Sequence, residues 1–200
     1  RRLSYDSRDR FIINGSLKHQ FNDWLHAEVR AGADLYTTNT EGKVFAGTSS
    51  TSRYNLGKNI FNEQNYSALI AAAKDNVFGK IGGSITLGGN LMNRQRSGIS
   101  SSSGELLVPN LFSLNNGVNS PSVSQSFSQK KINSAYALLQ LNYDGYLFVD
   151  LTGRNDWTST LSKANRSFFY KSASTSLVIS DMITKNGGDL PSWFTFGKIR

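Results

Sequence analysis

Between Leu25 and Leu35 every odd position is apolar (Leu25, Ala27, Val29, Ala31, Ala33, Leu35), and the even positions between them read His26, Glu28, Arg30, Gly32 and Asp34. Alternation this strict describes a β-strand with one apolar face and one hydrated face. Full charges on the hydrated face exclude an ordinary dry core on that side. A strand of about ten such residues is what crosses a bilayer when tilted inside a closed barrel. An antiparallel transmembrane β-barrel is therefore the leading expectation.

The rest of the composition fits strand material. The chain has 200 residues with 18 Gly, only 3 Pro, no Cys and 12% aromatic residues, a pattern too ordered for a disordered segment. No apolar run approaches the roughly 18 residues of a spanning helix. The opening Arg1-Arg2 carries no initiator Met and no charged-then-apolar leader, so the expectation is a slice of a longer protein. Absence of cysteine removes disulfide scaffolds and thiolate metal sites. The net charge of +8, from 22 Lys+Arg against 14 Asp+Glu, is dispersed apart from Arg8, Arg10 and Lys130-Lys131. Scattered charge of this kind belongs to solvated surface, and no nucleic-acid partner is expected.

Two hairpins can be aligned by their faces. Arg10 to Phe21 places Phe11, Ile13, Gly15, Leu17 and Phe21 on one side. A three-residue turn at Asn22 to Trp24 would set Phe11 opposite Leu35, Ile13 opposite Ala33 and Leu17 opposite Val29. The second hairpin joins Ala137, Leu139, Leu141 and Tyr143 to Leu147, Val149 and Leu151 through Asp144-Gly145. A two-residue loop would pair Leu139 with Asp150 and put a carboxylate on the apolar side. A three-residue loop through Tyr146, or a bulge, instead pairs Leu141 with Val149 and Leu139 with Leu151, and this register is the expected one.

Further strands are expected over Asn65 to Ala73, Val77 to Met92 and Phe168 to Ser180, with a last one entered at Trp193, about eight strands in all. Short turns at Asn22 to Trp24, Lys74 to Asn76 and Asp144 to Tyr146 alternate with long polar connections at Asn39 to Glu63 and Arg94 to Ser124. Outer-membrane barrels have this asymmetry of brief inner turns and extended outer loops. Aromatics near the strand ends, among them Phe21, Trp24, Tyr36, Tyr143, Trp157 and Phe168, read as interfacial girdles. The apolar cluster Leu106, Leu107, Val108, Leu111, Phe112 and Leu114 in the second long connection implies either a partner or packing back onto the barrel.

Catalytic chemistry finds little material. There is no HExxH, GxSxG or cysteine nucleophile, and none of the Gly-Lys pairs is followed by Ser or Thr as a phosphate loop requires. His19 is expected to point outward at a membrane edge and His26 inward. Glu28, Asp34, Asp150 and Asp156, accompanied by Arg30, Arg154 and Tyr36, read as pore-facing residues whose charges solvate and select. No enzyme activity, cofactor or metal is expected.

The segment Ile132 to Ile179 resembles the barrel of the SusC/RagA-type TonB-linked outer-membrane proteins of Bacteroidetes. The resemblance is carried by Ser134-Ala135-Tyr136, then Arg154-Asn155-Asp156-Trp157, then Ser167-Phe168-Phe169-Tyr170. It extends to Leu87 to Asn90 (LGGN), Val108 to Leu114 (VPNLFSL) and Phe194 to Arg200 (FTFGKIR). One departure is Lys171, where the family often has Pro. The resemblance implies that residues 1–200 form part of one barrel domain of about 22 strands, with plug and closing strands outside them. It also implies a nutrient importer for oligosaccharides or peptides, with a SusD-like surface lipoprotein as lid and the TonB complex engaged through a missing N-terminal part.

The candidate substrate-contacting residues are Arg30, Asp34, Arg154, Asp156 and Trp157. The expected surroundings are outer-membrane lipid on one face and glycan or peptide on the other. Two rival readings share the alternation: a self-contained small outer-membrane barrel with a structural or adhesive role, and a soluble β-rich carbohydrate-binding module.

Overall fold

A computed structural model describes residues 1–47 and 50–200. The strands are β1 (Arg2–Asn22), β2 (Leu25–Val44), β3 (Arg53–Phe78), β4 (Ile81–Glu105), β5 (Ser122–Tyr143), β6 (Leu147–Thr158), β7 (Ser167–Val178) and β8 (Lys198–Ile199). A short helix, α1 (Ile179–Lys185), follows β7. All eight strands form one sheet in the order of the sequence, each bonded to its predecessor. None of the described helices is long and apolar enough to cross a membrane.

The apolar faces stay uncovered, and in the Ile85–Leu91 part of β4 exposure follows the alternation. Phe11, Ile13, Leu17, Val29, Ile85, Leu87, Leu91, Leu141 and Leu151 are all exposed, and Leu25, Ala33, Leu139 and Val149 are only partly covered. The buried hydrophobic residues among those described are just Tyr54, Phe61, Leu106 and Val178. A water-soluble sandwich buries its apolar strand faces against a second layer. Here they are left bare, as a lipid-facing wall leaves them.

The contacts resolve into two compact units. The first comprises Arg1–Asn14, Gly32–Asn65 and Met92–Lys130. In it the Phe45 amide donates to Arg1 O at 2.9 Å. Residues after β4 double back, with Leu107 N donating to Asn116 O at 2.7 Å and Val118 N to Glu105 O at 2.8 Å. The Asn116 side chain ties this strap together by donating to Val108 O and Leu111 O. Phe112 turns in against Phe45, ring centroids 4.8 Å apart, so the apolar connection partly packs onto its own unit while Leu107, Val108 and Leu111 stay exposed.

The second unit comprises Gly15–Ala31, Tyr66–Leu91 and Lys131–Arg200. Its β5–β6 hairpin has the register expected from the faces: Leu141 opposite Val149 and Leu139 opposite Leu151, with Tyr143 opposite Leu147. Asp144 (φ 51°) and Gly145 (φ 70°) both occupy the left-handed region within a three-residue loop. Gln140 then faces Asp150 and donates to it at 2.7 Å, keeping the carboxylate off the apolar side. His19 packs edge-on to Phe21 at 4.7 Å, on the apolar face as expected.

Several sequence expectations require correction. The stretch Asn39 to Glu63 is mostly strand and Arg94 to Ser124 is about half strand: β2 runs on to Val44, β3 begins at Arg53, and β4 reaches Glu105. Strands β1 to β5 span 20 to 26 residues, about twice what a bilayer requires. Beyond the hydrocarbon both faces of a strand are wet, so a polar stretch no longer signals a loop. The turn expected at Lys74 to Asn76 lies at Gly79-Lys80, and the first turn contains Asp23 and Trp24 only. The chain after Val178 forms α1 rather than more strand, and the last strand is just Lys198–Ile199. Its signals were Ile179, Met182 and Ile183 at helical spacing, Asp181 in the first turn and Lys185 in the last.

Asp144 joins three pieces of the second unit. Its carboxylate accepts from Lys80 Nζ at 2.6 Å and lies 3.5 Å from Lys185 Nζ, while its amide donates to Lys80 O at 2.7 Å. The hydrogen bond from Lys80, opposed in part by desolvation, holds the Asp144 carboxyl below its ordinary value. A depressed folded value adds stability that is present above the unfolded carboxylate range and is lost as pH falls through the folded value. Protection factors at the two turns and α1, in which the intrinsic pH dependence of amide exchange is divided out, should therefore fall on acidification, and Asp144→Asn should show the lower protection already at pH 7. A second prediction contrasts adjacent residues of β4. Leu87→Arg, on the bare apolar face, should destabilise the protein in lipid vesicles by about 2–4 kcal/mol where it falls near the midplane. Thr86→Arg, on the hydrated face, should change stability by about 0.5 kcal/mol or less; urea titration in vesicles reads both.

Candidate functional site

The hydrated face of the first unit gathers an arginine-rich aromatic cluster. Even-numbered residues of β1 and β2 share that face, as the contacts Arg8 to Thr38 and Arg10 to Asp34 require. Odd residues of β3 and even residues of β4 join it through Glu63 and Arg94. At its centre Tyr36 stacks on the buried Phe61, centroids 4.6 Å apart and 14° between planes. Arg8 lies over Tyr36 at 4.9 Å, and Arg96 lies over Phe61 at 5.3 Å. Arg10 and Arg94 flank the same two rings at 6.0 and 5.9 Å. A guanidinium over a ring face is attracted by the ring quadrupole and is held flat with its edges free.

The four arginines are not equally satisfied. Arg10 grips Asp34 with both prongs, at 2.8 and 2.7 Å. Arg94 donates to Glu63 at 2.5 Å, and Asn65 supplies that carboxylate's second partner at 3.0 Å. Arg8 donates through Nε to Thr38 Oγ1 at 2.9 Å, a neutral acceptor. Arg96 is held by the Phe61 ring. Two of the four arginines are thus paired with carboxylates, while Arg8 is held by Thr38 and Arg96 by the Phe61 ring; Asp6, two residues before Arg8 on the same strand face, is a further carboxylate at this end of the cluster. Arg8 and Arg96 are both exposed. Beside Arg8 and Thr38 opens a groove of about 750 Å³, lined also by the hydroxyls of Thr40, Ser101 and Ser122 and by the carboxylates of Asp6 and Glu41.

The second unit carries a separate polar row. Arg30 clasps Glu28 at 2.6 and 2.9 Å. Arg154 donates to Asp156 at 2.8 Å and to Ser134 Oγ at 2.9 Å. Tyr136 stands directly opposite Arg154 in the β5–β6 ladder, and its hydroxyl is also an electrostatic neighbour of Arg30. The ring reaches this place because Gly88 has no side chain: a Cβ there would lie 2.5 Å from both Cζ and Oη of Tyr136.

The five sequence candidates are therefore distributed. Arg30, Arg154 and Asp156 belong to the second unit's polar row, and Asp34 belongs to the first unit's arginine cluster. Trp157 alternates with Arg154 and Asp156 onto the opposite face, opposite Asn133 and Ser167 in the two ladders. Sequence reasoning missed Tyr36, Phe61, Arg94 and Arg96 as a group, because Phe61 and Arg94 were read as parts of loops. Recognising β3 and β4 as long strands would have exposed the shared face. The described residues include no cluster of His, Asp and Glu suited to a metal ion. What the face offers is fixed charge, hydrogen-bond donors and flat rings, which bind and orient without breaking bonds.

No protein-family model matches the chain, and no curated protein does. Solved structures do. A chain in the structure of the RagAB peptide transporter aligns with a TM-score of 0.83 and 16% identity, covering 92% of this chain and 21% of that one. The chain has the fold of that transporter's wall. The RagAB peptide importer in its "open-open" state aligns at 0.82 with 18% identity, and in its "closed-closed" state at 0.83 with 16%. The chain spans about a fifth of the RagAB chain's length, since 21% of it is covered in each case. These neighbours are transporters, and the fold shared is an eight-strand stretch of outer-membrane barrel.

The contact of Tyr136 with Gly88 makes a double-mutant test available. Gly88→Leu should overpack the hydrated face and cost about 1–3 kcal/mol. Tyr136→Ser, which removes the ring, should restore most of that loss in the double variant. Equal loss in the single and double variants, measured by unfolding in vesicles, contradicts the arrangement.

Proposed function

We propose that the chain is a stretch of wall in a TonB-dependent outer-membrane importer of the SusC/RagA type, taking up oligosaccharides or peptides over its hydrated face. The observation that carries this reading is the RagAB wall fold matched over 92% of the chain, together with strands bare of cover on their apolar side. The sheet order also supports it. Among the described residues β1 and β8 each have one neighbour, and an open edge as long as β1 is not tolerated in lipid unless further strands pair with it. A self-contained eight-strand barrel has no such requirement, because its first and last strands pair with each other.

In this reading the apolar face meets outer-membrane lipid and the polar rows face the pore. Arg30, Asp34, Arg154 and Asp156 contact passing solute. Trp157, on the lipid side, is assigned to anchoring at the interface instead. The exposed Leu107, Val108 and Leu111 belong to a connection on which a SusD-like lipoprotein would close. Energy from the TonB complex would enter through a part of the receptor outside these residues.

The test is uptake by cells carrying the whole receptor as their sole route for a defined oligosaccharide or peptide pool. Uptake should stop when a protonophore collapses inner-membrane energy. Replacing Arg154 and Asp156 together by alanine should lower it several-fold, while Trp157→Phe should leave it near normal. Uptake indifferent to the protonophore contradicts the transport reading, and uptake indifferent to the Arg154/Asp156 change removes those residues from the path.

A further inference from the structure

We infer that the arginine-flanked Tyr36–Phe61 stack is a binding site for carboxylate groups of the ligand, with Arg8 and Arg96 as the contacting cations. The ring pair holds both guanidiniums against flat surfaces, 4.9 and 5.3 Å from the centroids, so little side-chain freedom remains to be lost on binding. Asp34 and Glu63 already pair with Arg10 and Arg94 at 2.5 to 2.8 Å, whereas among the described residues neither Arg8 nor Arg96 forms an ion pair within 4.0 Å. An arginine fork satisfied by a ring face and one hydroxyl still presents N–H pairs spaced for a planar carboxylate. The groove beside Arg8, about 750 Å³, carries hydroxyls together with Asp6 and Glu41, so it beds the neutral polar part of the ligand while the carboxylate stays on the guanidiniums.

The internal pairs also give the site its selectivity. Asp34 and Glu63 sit among the cations and repel an anion that approaches Arg10 or Arg94, so a ligand carboxylate is directed to Arg8 and Arg96. A neutral ligand of equal size gains the rings and the groove but leaves those two guanidiniums as they were. Carboxylates of this kind arise from acidic peptides or from uronic acid sugars. The inference rests on the transport reading for where the ligand comes from, whereas binding itself can be measured without transport.

The experiment is titration calorimetry on the whole receptor chain purified in detergent. The probes are a hexapeptide of alternating Glu and Ser, the same peptide with Gln for Glu, and tetragalacturonate beside its methyl ester. At least one carboxylate probe should bind more tightly than its neutral counterpart, with an affinity that falls as salt rises. Arg8→Gln and Arg96→Gln should each weaken that probe about tenfold to a hundredfold and leave the neutral counterpart unchanged. Preference for the peptide alone or the galacturonate alone identifies the source of the carboxylate, and both support the site. If neither carboxylate probe outbinds its neutral partner, or if both arginine variants bind the charged probe as the unmodified chain does, the site is overturned. A receptor that still imports in an energy-dependent way under that result keeps its transport role without this site. Retention of the heat-modifiable barrel band by both variants separates lost binding from lost fold.

Discussion

The structure depends on one constraint: each strand must satisfy two solvents at once while its backbone bonds only sideways. In hydrocarbon no water is available to backbone N–H and C=O groups, so the ladder must supply every partner. With the backbone committed to its neighbours, the side chains alone answer the surroundings, and period two divides them cleanly. Leu17, Val29, Ile85, Leu87, Leu141 and Leu151 stay bare on one side. Glu28, Arg30, Ser134, Arg154 and Asp156 bind one another on the other. The near absence of buried hydrophobic side chains follows, because this wall has no interior of its own.

The same constraint shapes the functional face. Ions on a hydrated wall cannot rely on burial for strength, and exposed pairs are individually weak. The chain instead places them in register: two arginines on carboxylates and two on a hydroxyl or a ring face around a single ring stack in the first unit, and a tyrosine facing Arg154 in the second. Glycine contributes at one decisive place, where the absent side chain of Gly88 lets Tyr136 lie against β4.

How legible all this was from the residues depended on which force ruled each stretch. The β5–β6 register was readable because a one-residue slip would have turned Asp150 toward the apolar side, and only a three-residue loop avoids it. The extensions of β2, β3 and β4 were not readable, because outside the hydrocarbon neither face needs to be apolar and the alternation fades. Helix α1 was missed where Ile179 follows seamlessly from the aromatic and β-branched run of β7. The placement of Trp157 with Arg154 and Asp156 failed for a simpler reason: neighbours in sequence on a strand point opposite ways.

Sequence alone determined that strands would have one wet and one apolar face and how the Asp144–Tyr146 hairpin would close. Those properties are local, carried by alternation and turn chemistry within a few residues. Only the tertiary structure decided that Tyr36 would meet Phe61, that Arg8 and Arg96 would flank them, and that Tyr136 would settle over Gly88. Each of those contacts joins residues far apart in the chain, and their meeting is set by strand order and stagger across several ladders, which no local pattern encodes.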